Sequence, residues 1–433
     1  MNITRTTKLT HKLDKWRKID KTEIFTQTTL GFSMSTLNLK LALPVSLALA
    51  YGCAAVSAAP LLGADLNSQS VFASGYVTAG GGSTVHGSFL SGAGATLGAG
   101  SVVTGNLLAV EGATVGVGAT VGGNLLAGAG ATLGANSTVA GSFHAGAAAT
   151  LGANSSVGGN VHAGAAATLG ANSRVSGNVI AGAAVTGGVG AQIIGTTKAS
   201  TTPSFLGIPN TASANVQAAQ VADTQTSLRS LVSGSTLAAT MGGLTSLTAG
   251  IYSATALTTA AGTVLSLDGQ NLANQLWVFN IDTYLVTGAS TKINLINAGL
   301  GSSVIWNTGG YTSLGADTSF LGTLIAGTYV SMGANTKVTG ANTSCGGIFS
   351  ASSYVVMGAE AQVGSAGCSG ANTAYWAEGS NTLLAQQASA VSAVSEPGEL
   401  WMLLSGLALM GAVANRRKRW VGGGPKISRL RHA

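Results

Sequence analysis

The sequence predicts an all-β solenoid, a coil of short strands with three walls. Three observations carry this reading. A unit of eighteen residues recurs without a gap from Gly87, and recurrence at a fixed period is the signature of stacked repeats. Apolar residues fall at three constant positions of the unit. Between them Gly and Asn cluster, as tight corners require.

The units open at Gly87, Gly105, Gly123, Gly141, Gly159 and Gly177, and the third reads GNLLAGAGATLGANSTVA. Strand side chains alternate in and out, so each short strand sends one large apolar residue inward. Position three carries Phe89, Leu107, Leu125, Phe143, Val161 and Val179. Position eleven carries Leu97, Val115, Leu133, Leu151 and Leu169, and position seventeen Val103, Val121, Val139, Val157 and Val175. Three inward ladders imply three walls, with Ala or Gly filling the remaining interior. The frame returns in the C-terminal half at residues 277–294 and 304–321 and in units opened by Gly322 and Gly347, the last of which turns Ile348 outward. Insertions near Leu295 and Gly340 interrupt it.

Between the halves, residues 211–232 lack Gly and strand alternation. Alanines, glutamines and Val216, Val221, Leu228, Leu231 and Val232 predict a helix, capped by Thr211 or Ser213 and ended by Gly234. At about 1.5 Å per residue it runs on the order of 30 Å, the length of six coils about 4.8 Å apart. It can lie along the solenoid.

Charge divides by region. Of 20 Lys and Arg, eight lie in residues 1–58 and seven after Glu396, leaving Arg174, Lys198, Arg229, Lys292 and Lys337 against eight acids, Asp65, Glu111, Asp223, Asp268, Asp282, Asp317, Glu360 and Glu378. The body is therefore near −3, and the formal +7 belongs to the ends. Five scattered cations build no basic patch, which excludes nucleic acid as a partner.

Residues 41–59, LALPVSLALAYGCAAVSAA, read as a secretory signal peptide to be cut by signal peptidase between Ala58 and Ala59. The long basic segment before Met34 is either an extended n-region or precedes the true start. The residues before Cys53 fit a lipobox poorly. At the other end, Ser395-Glu396-Pro397 leads into an apolar run from Leu400 to Ala414 and then Arg416, Arg417, Lys418 and Arg419. An ordinary anchor with cytoplasmic cations has this form, and the three-part order also resembles the PEP-CTERM sorting signal of Gram-negative bacteria. That resemblance implies cleavage by an exosortase, although Ser395 stands where the signal usually has Pro. Either way the chain is expected to be exported, to pause at the inner membrane and to reach the cell surface or medium.

From Leu231 onward, GGLTSLTAGIYSATALTTAAGTVLSLDGQ, QLWVFNIDTYLVTGASTKINLINA and SSVIWNTGGYTSLGADTSFLGTLIA resemble the bacterial and fungal ice-binding protein family. LGADLNSQSVFASGYVTAGGGSTVHGSF, residues 62–89, looks like that family's opening strand region. The resemblance takes in most of residues 62–364 except the regular coils. It implies a right-handed, three-sided β-helix with one long α-helix alongside, here extended by about six coils, and adsorption to an ice crystal surface through a flat β-face. The extra coils depart from the family, so the site is the family's, is extended, or is lost. The expected organisation is a signal peptide (1–58), the opening strands (59–86), 18-residue coils (87–195), a linker and helix (196–234), a C-terminal β-helix (235–375), a linker (376–394), the sorting signal (395–419) and a basic tail (420–433).

Three function classes compete. β-Helices that cleave polysaccharides use clustered carboxylates, bases or bound calcium, but these acids are scattered and none repeats at the coil period. His144 and His162 stack one coil apart without a third ligand for a metal. No enzyme, metal site or cofactor is expected. A structural or adhesive matrix protein, with exopolysaccharide as partner, is the alternative to ice binding. Ice binding needs a flat, weakly charged face of hydroxyl and methyl groups, and a strand spacing of about 4.8 Å lies close to a repeat of oxygen positions in ice.

Cys345 and Cys368 remain after signal removal and sit in insertions just past the ends of adjacent coils, which in an oxidising compartment predicts a disulfide. The working face follows by elimination. Leu90, Leu108, Leu126, Ile180, Ile305, Ile325 and Ile348 form an outward apolar wall, the seat for the helix. Arg174, Lys292 and Lys337 spoil the wall at position sixteen. On the remaining wall, position ten carries Thr96, Thr114, Thr132, Thr150, Thr168 and Thr186, continued by Ser313 and Ser331. Tyr284, Tyr311, Tyr329 and Tyr354 stand beside them and either support the wall or roughen it. Thr is also simply a good outward strand residue; the ladder is the expected ice-binding face.

Overall fold

The computed structural model describes residues 59–199, 209–342, 344–371, 374–377 and 382–385. The expected signal peptide up to Ala58 and the sorting signal with its cationic tail lie outside these residues. Among the described residues, parallel sheets of 14, 13 and 13 strands form the three walls of a β-helix.

The register of the regular half is the sequence period itself. Leu125 pairs with Leu107 and Phe143, Thr132 with Thr114 and Thr150, and Thr138 with Thr120 and Ser156. Each inward column therefore stacks like on like. Val103, Val121, Val139, Val157 and Val175 are all 0% exposed. Full burial of such a side chain contributes about 1.5–3 kcal/mol, and each of the first five regular coils buries three. At the corners Asn136, Asn154 and Asn172 adopt left-handed backbone, which Asn tolerates better than most residues.

Spatial order departs from chain order at one junction. The opening strand Gln69–Ala73 pairs with Ser88–Ser91 on one side and with Gly347–Ser350 on the other. From there the N-terminal half winds out to Thr197–Ala199, while the C-terminal half starts at the opposite end, at Ser235–Thr236, and winds back to the junction. All coils thus advance in one direction along a single stack.

The helix α1 is Gly63–Asn67 and the long helix α2 is Thr211–Arg229. The cap of α2 is Asn210 rather than Thr211 or Ser213: its side chain accepts from the Ser213 N–H at 2.9 Å, while the Asn210 N–H donates to the Ser213 hydroxyl at 3.2 Å. That reciprocal pair is a capping box. The helix also stops short of Gly234, and two carbonyls of its last two turns accept from side chains of the wall below. Asn280 Nδ2 donates to Leu228 O at 2.7 Å, and Asn307 Nδ2 to Gln225 O at 3.0 Å.

Val221 and Leu228 of α2 pack on Phe72, Leu90, Val278, Ile305, Ile325 and Phe349. Ile348 is not part of this outer cluster. It pairs with Leu324 and points into the solenoid, because the corner after Ser350 holds one more residue than its neighbour and shifts the strand by one place. Leu108 only flanks the cluster, and Leu126 and Ile180 lie beyond it. The stretch expected to be a linker from residue 376 starts in a small antiparallel sheet, Ala374–Trp376 with Leu383–Ala385 and with Ala59–Pro60. Cys345 and Cys368 are joined by a disulfide with Cα atoms 5.7 Å apart.

Candidate functional site

The structure brings the position-ten residues into one column. Thr186, Thr168, Thr150, Thr132, Thr114 and Thr96 are consecutive partners in the second wall. The column continues through Thr78 and, beyond the junction, through Val356, Ser331, Ser313, Val286, Thr258 and Thr240. Sequence reasoning found the first six, Ser313 and Ser331. It missed Thr78, Thr240 and Thr258, which lie outside the units it framed, and Val286 and Val356, which hold position ten of two framed units but carry no hydroxyl; the outward place in a strand between two buried apolar residues was the available signal.

Both flanks of this column are small in the regular coils. On one side position twelve is always Gly, as at Gly98, where a Cβ would lie 2.5 Å from the backbone nitrogen of Gly81. A side chain there has no room, so that flank is flat by necessity. On the other side stand Gly94, Gly112, Gly130, Ala148, Ala166 and Ala184. In the remaining coils this second flank changes character. Tyr76, Tyr354, Tyr329, Tyr311 and Tyr284 form one stack, with ring centroids 4.9, 5.0, 5.0 and 5.5 Å apart in that order. Tyr76 extends the four tyrosines expected from sequence across the junction. Partial burial, then the flanking Tyr311 and Tyr354 phenols, hold the Tyr329 hydroxyl above the usual tyrosine range.

The third wall carries Arg174, Lys292 and Lys337, all exposed. The charges are less disruptive than expected, because Thr84, Val102, Thr120, Thr138 and Ser156 form five successive uncharged rungs between Gln362 and Arg174. The first wall is covered by α2 over the junction and the C-terminal coils. Farther along it, His144 and His162 stack with centroids 4.6 Å apart. Burial, and then the neighbouring His162, lower the His144 pKa, and burial lowers that of His162. Among the described residues no three His, Cys, Asp or Glu side chains converge, and no helix is long and apolar enough to cross a membrane.

The column can present a row of hydroxyl and methyl groups at the strand spacing, about 4.8 Å. Its side chains rarely bond to each other: Thr186 donates to Thr168 at 3.4 Å, and Thr240 and Thr258 lie 3.2 Å apart. Most of the hydroxyls are therefore left for water.

A stretch of 101 residues is 35% identical to Ice-binding protein 1 of Shewanella frigidimarina, covering 23% of this chain and 11% of that protein, so the chain spans about a tenth of the curated relative's length. Among solved structures, an ice-binding protein from the Antarctic ascomycete Antarctomyces psychrotrophicus aligns over 50% of this chain and 92% of its own, with 23% identity and a TM-score of 0.31. An ice-binding protein from an Antarctic bacterium of the Flavobacteriaceae aligns over 70% and 98%, with 17% identity and a TM-score of 0.33. Over residues 196–356, the segment that holds α2 and the C-terminal coils, the chain matches the family described as Ice-binding-like.

Proposed function

We propose that this protein binds ice through the second wall. The observation that carries the reading is its outer column: thirteen rungs, every one Thr, Ser or Val, in register across both halves and free of charge. Thr and Val share a methyl-bearing shape, so Val286 and Val356 keep the surface level while giving up a hydroxyl. Such a row can hold water in a fixed pattern without the disorder that a long charged side chain imposes. The family match at residues 196–356 supports the same activity, although Thr78 to Thr186 lie outside it. Export through residues 1–58, release at the sorting signal by an exosortase and residence at the cell surface complete the proposal.

The purified protein should partition into a growing ice hemisphere. T132Y/T150Y should weaken adsorption roughly tenfold, the equivalent of about 1.4 kcal/mol, without changing the circular dichroism spectrum. K337E should matter little. Full activity in a folded T132Y/T150Y protein would move the site to the matched segment, where S313Y/S331Y is the corresponding test. Exclusion of the unmodified protein from ice would leave a matrix role with exopolysaccharide as the better reading.

A further inference from the structure

Among the described residues, neither end of the stack is capped. At one end the last regular coil leaves Val189 88% and Ile194 57% exposed, and its inward Val185, Ala191 and Ile193 are only partly buried, whereas their counterparts one coil back, Ala167, Ser173 and Val175, are 0% exposed. At the other end Leu244 is 86% exposed, and Leu237 and Leu247 are only partly buried. A parallel sheet edge presents unpaired N–H and C=O groups that template another strand.

The two ends are complementary in a definite way. Inside the stack, Ala167 N–H donates to Ala184 O at 3.0 Å, Gly188 N–H to Leu169 O at 2.8 Å, Val179 N–H to Thr196 O at 2.9 Å and Val264 N–H to Gly243 O at 2.9 Å. Because all coils advance in one direction, the same pattern carried one coil past the end has ready partners. Val185 N–H would meet Ala238 O of a second copy, and Thr197 N–H would meet Gly234 O. In return, Gly242 N–H and Leu244 N–H of that copy would meet Gly187 O and Ala191 O. The columns align as well: on the outside Thr186 would fall beside Thr240 and Gln192 beside Leu244, and on the inside Thr197 beside Ser235. Residues 233–248 carry no charge and residues 185–199 carry only Lys198, so nothing repels the approach.

We propose that the protein associates head to tail, the Val185–Ala199 end of one copy docking on the Ser235–Thr248 end of the next. The contact is heterologous and does not close on itself, so it leads to linear chains rather than a fixed dimer. It also continues the threonine column from one copy to the next, although the association does not depend on ice binding. Sedimentation velocity of the full chain over a roughly hundredfold range of concentration should show a mass that rises with concentration.

Two pairs of exposed substitutions make the test specific. Q192K/L244K places like charges across the junction and should return the protein towards monomer, whereas Q192K/L244E places opposite charges there and should restore association. Both positions lie outside the core, Gln192 and Leu244 being exposed, so folding is preserved. A second probe, V185P, removes one junction donor in the last coil alone. A single 42.4 kDa species at every concentration would overturn the proposal, as would association that is indifferent to both charge pairs and to V185P.

Discussion

Asn280 and Asn307 anchor the last two turns of α2 on the wall, adding a side-chain donor to the Leu228 and Gln225 carbonyls. Asn307 is fully buried and also donates to Asn280 Oδ1 at 2.8 Å, so the two amides form one short chain beneath the last turn. N307A removes both donations and should destabilise the protein by about 1–3 kcal/mol in denaturant unfolding. The histidine pair acts in the opposite sense. Burial and the neighbouring ring lower the His144 pKa from 6.5, so the folded state favours the neutral imidazole. Its contribution is complete above the unfolded value and is lost as pH falls below it towards the folded value. Thermal stability should decline on acidification below about pH 6.5, and H144F should reduce that slope. A pH-independent melting temperature in the unmodified protein would contradict this.

At the scale of elements, the walls were legible and the helix seat only in part: Leu90, Ile305 and Ile325 of the expected wall lie under the helix, whereas Leu126, Ile180 and Ile348 do not. Strict alternation over three-residue strands put Phe143 and Leu151 inside and Thr132 outside, because a side chain of the wrong kind would break both a core column and an outer one. No comparable rule governs α2. Its apolar contact is mainly Val221 and Leu228, and the rest of its docking is polar: Thr224 donates to Leu61 O at 3.1 Å and Gln225 to Thr308 O at 2.7 Å. Thr and Gln in a helix read as solvent-facing, so sequence alone located α2, its approximate length and the wall it covers, but not its polar contacts or its extent along that wall. The Ile348 displacement has a similar origin, since one extra corner residue leaves composition unchanged and reverses every side chain in the strand. L228A should cost about 2–5 kcal/mol by opening a cavity in the seam between α2 and the first wall. Loss confined to α2, with the coils intact by hydrogen exchange, would identify the helix as a separate unit of stability.

At the scale of the whole molecule, the regular coils form an arm joined to the C-terminal coils through the opening strand. The junction pairs Val71 with Ile348 and Val77 with Val355, so the opening strand depends on the last coils to reach the chain's middle. The arm from Gly105 onward needs only its neighbours, as in repeat proteins whose stability sums over adjacent units. Its length is therefore a variable that can be changed without redesign. Removing residues 123–158, two units of eighteen, brings Val121 against Val175, Leu107 against Val161 and Thr114 against Thr168. Like still meets like, so the shortened protein should fold with a melting temperature within about 4 °C of the original. Removing nine residues instead, half a unit, sets strands of one wall against those of another and should abolish the cooperative transition. If the arm works as part of the ice face, the two-unit deletion lowers ice adsorption while α2 and the tyrosine stack stay in place. If adsorption is unchanged in that folded protein, the six regular threonines are spacers, and the working surface is the part of the column from Thr78 to Thr240.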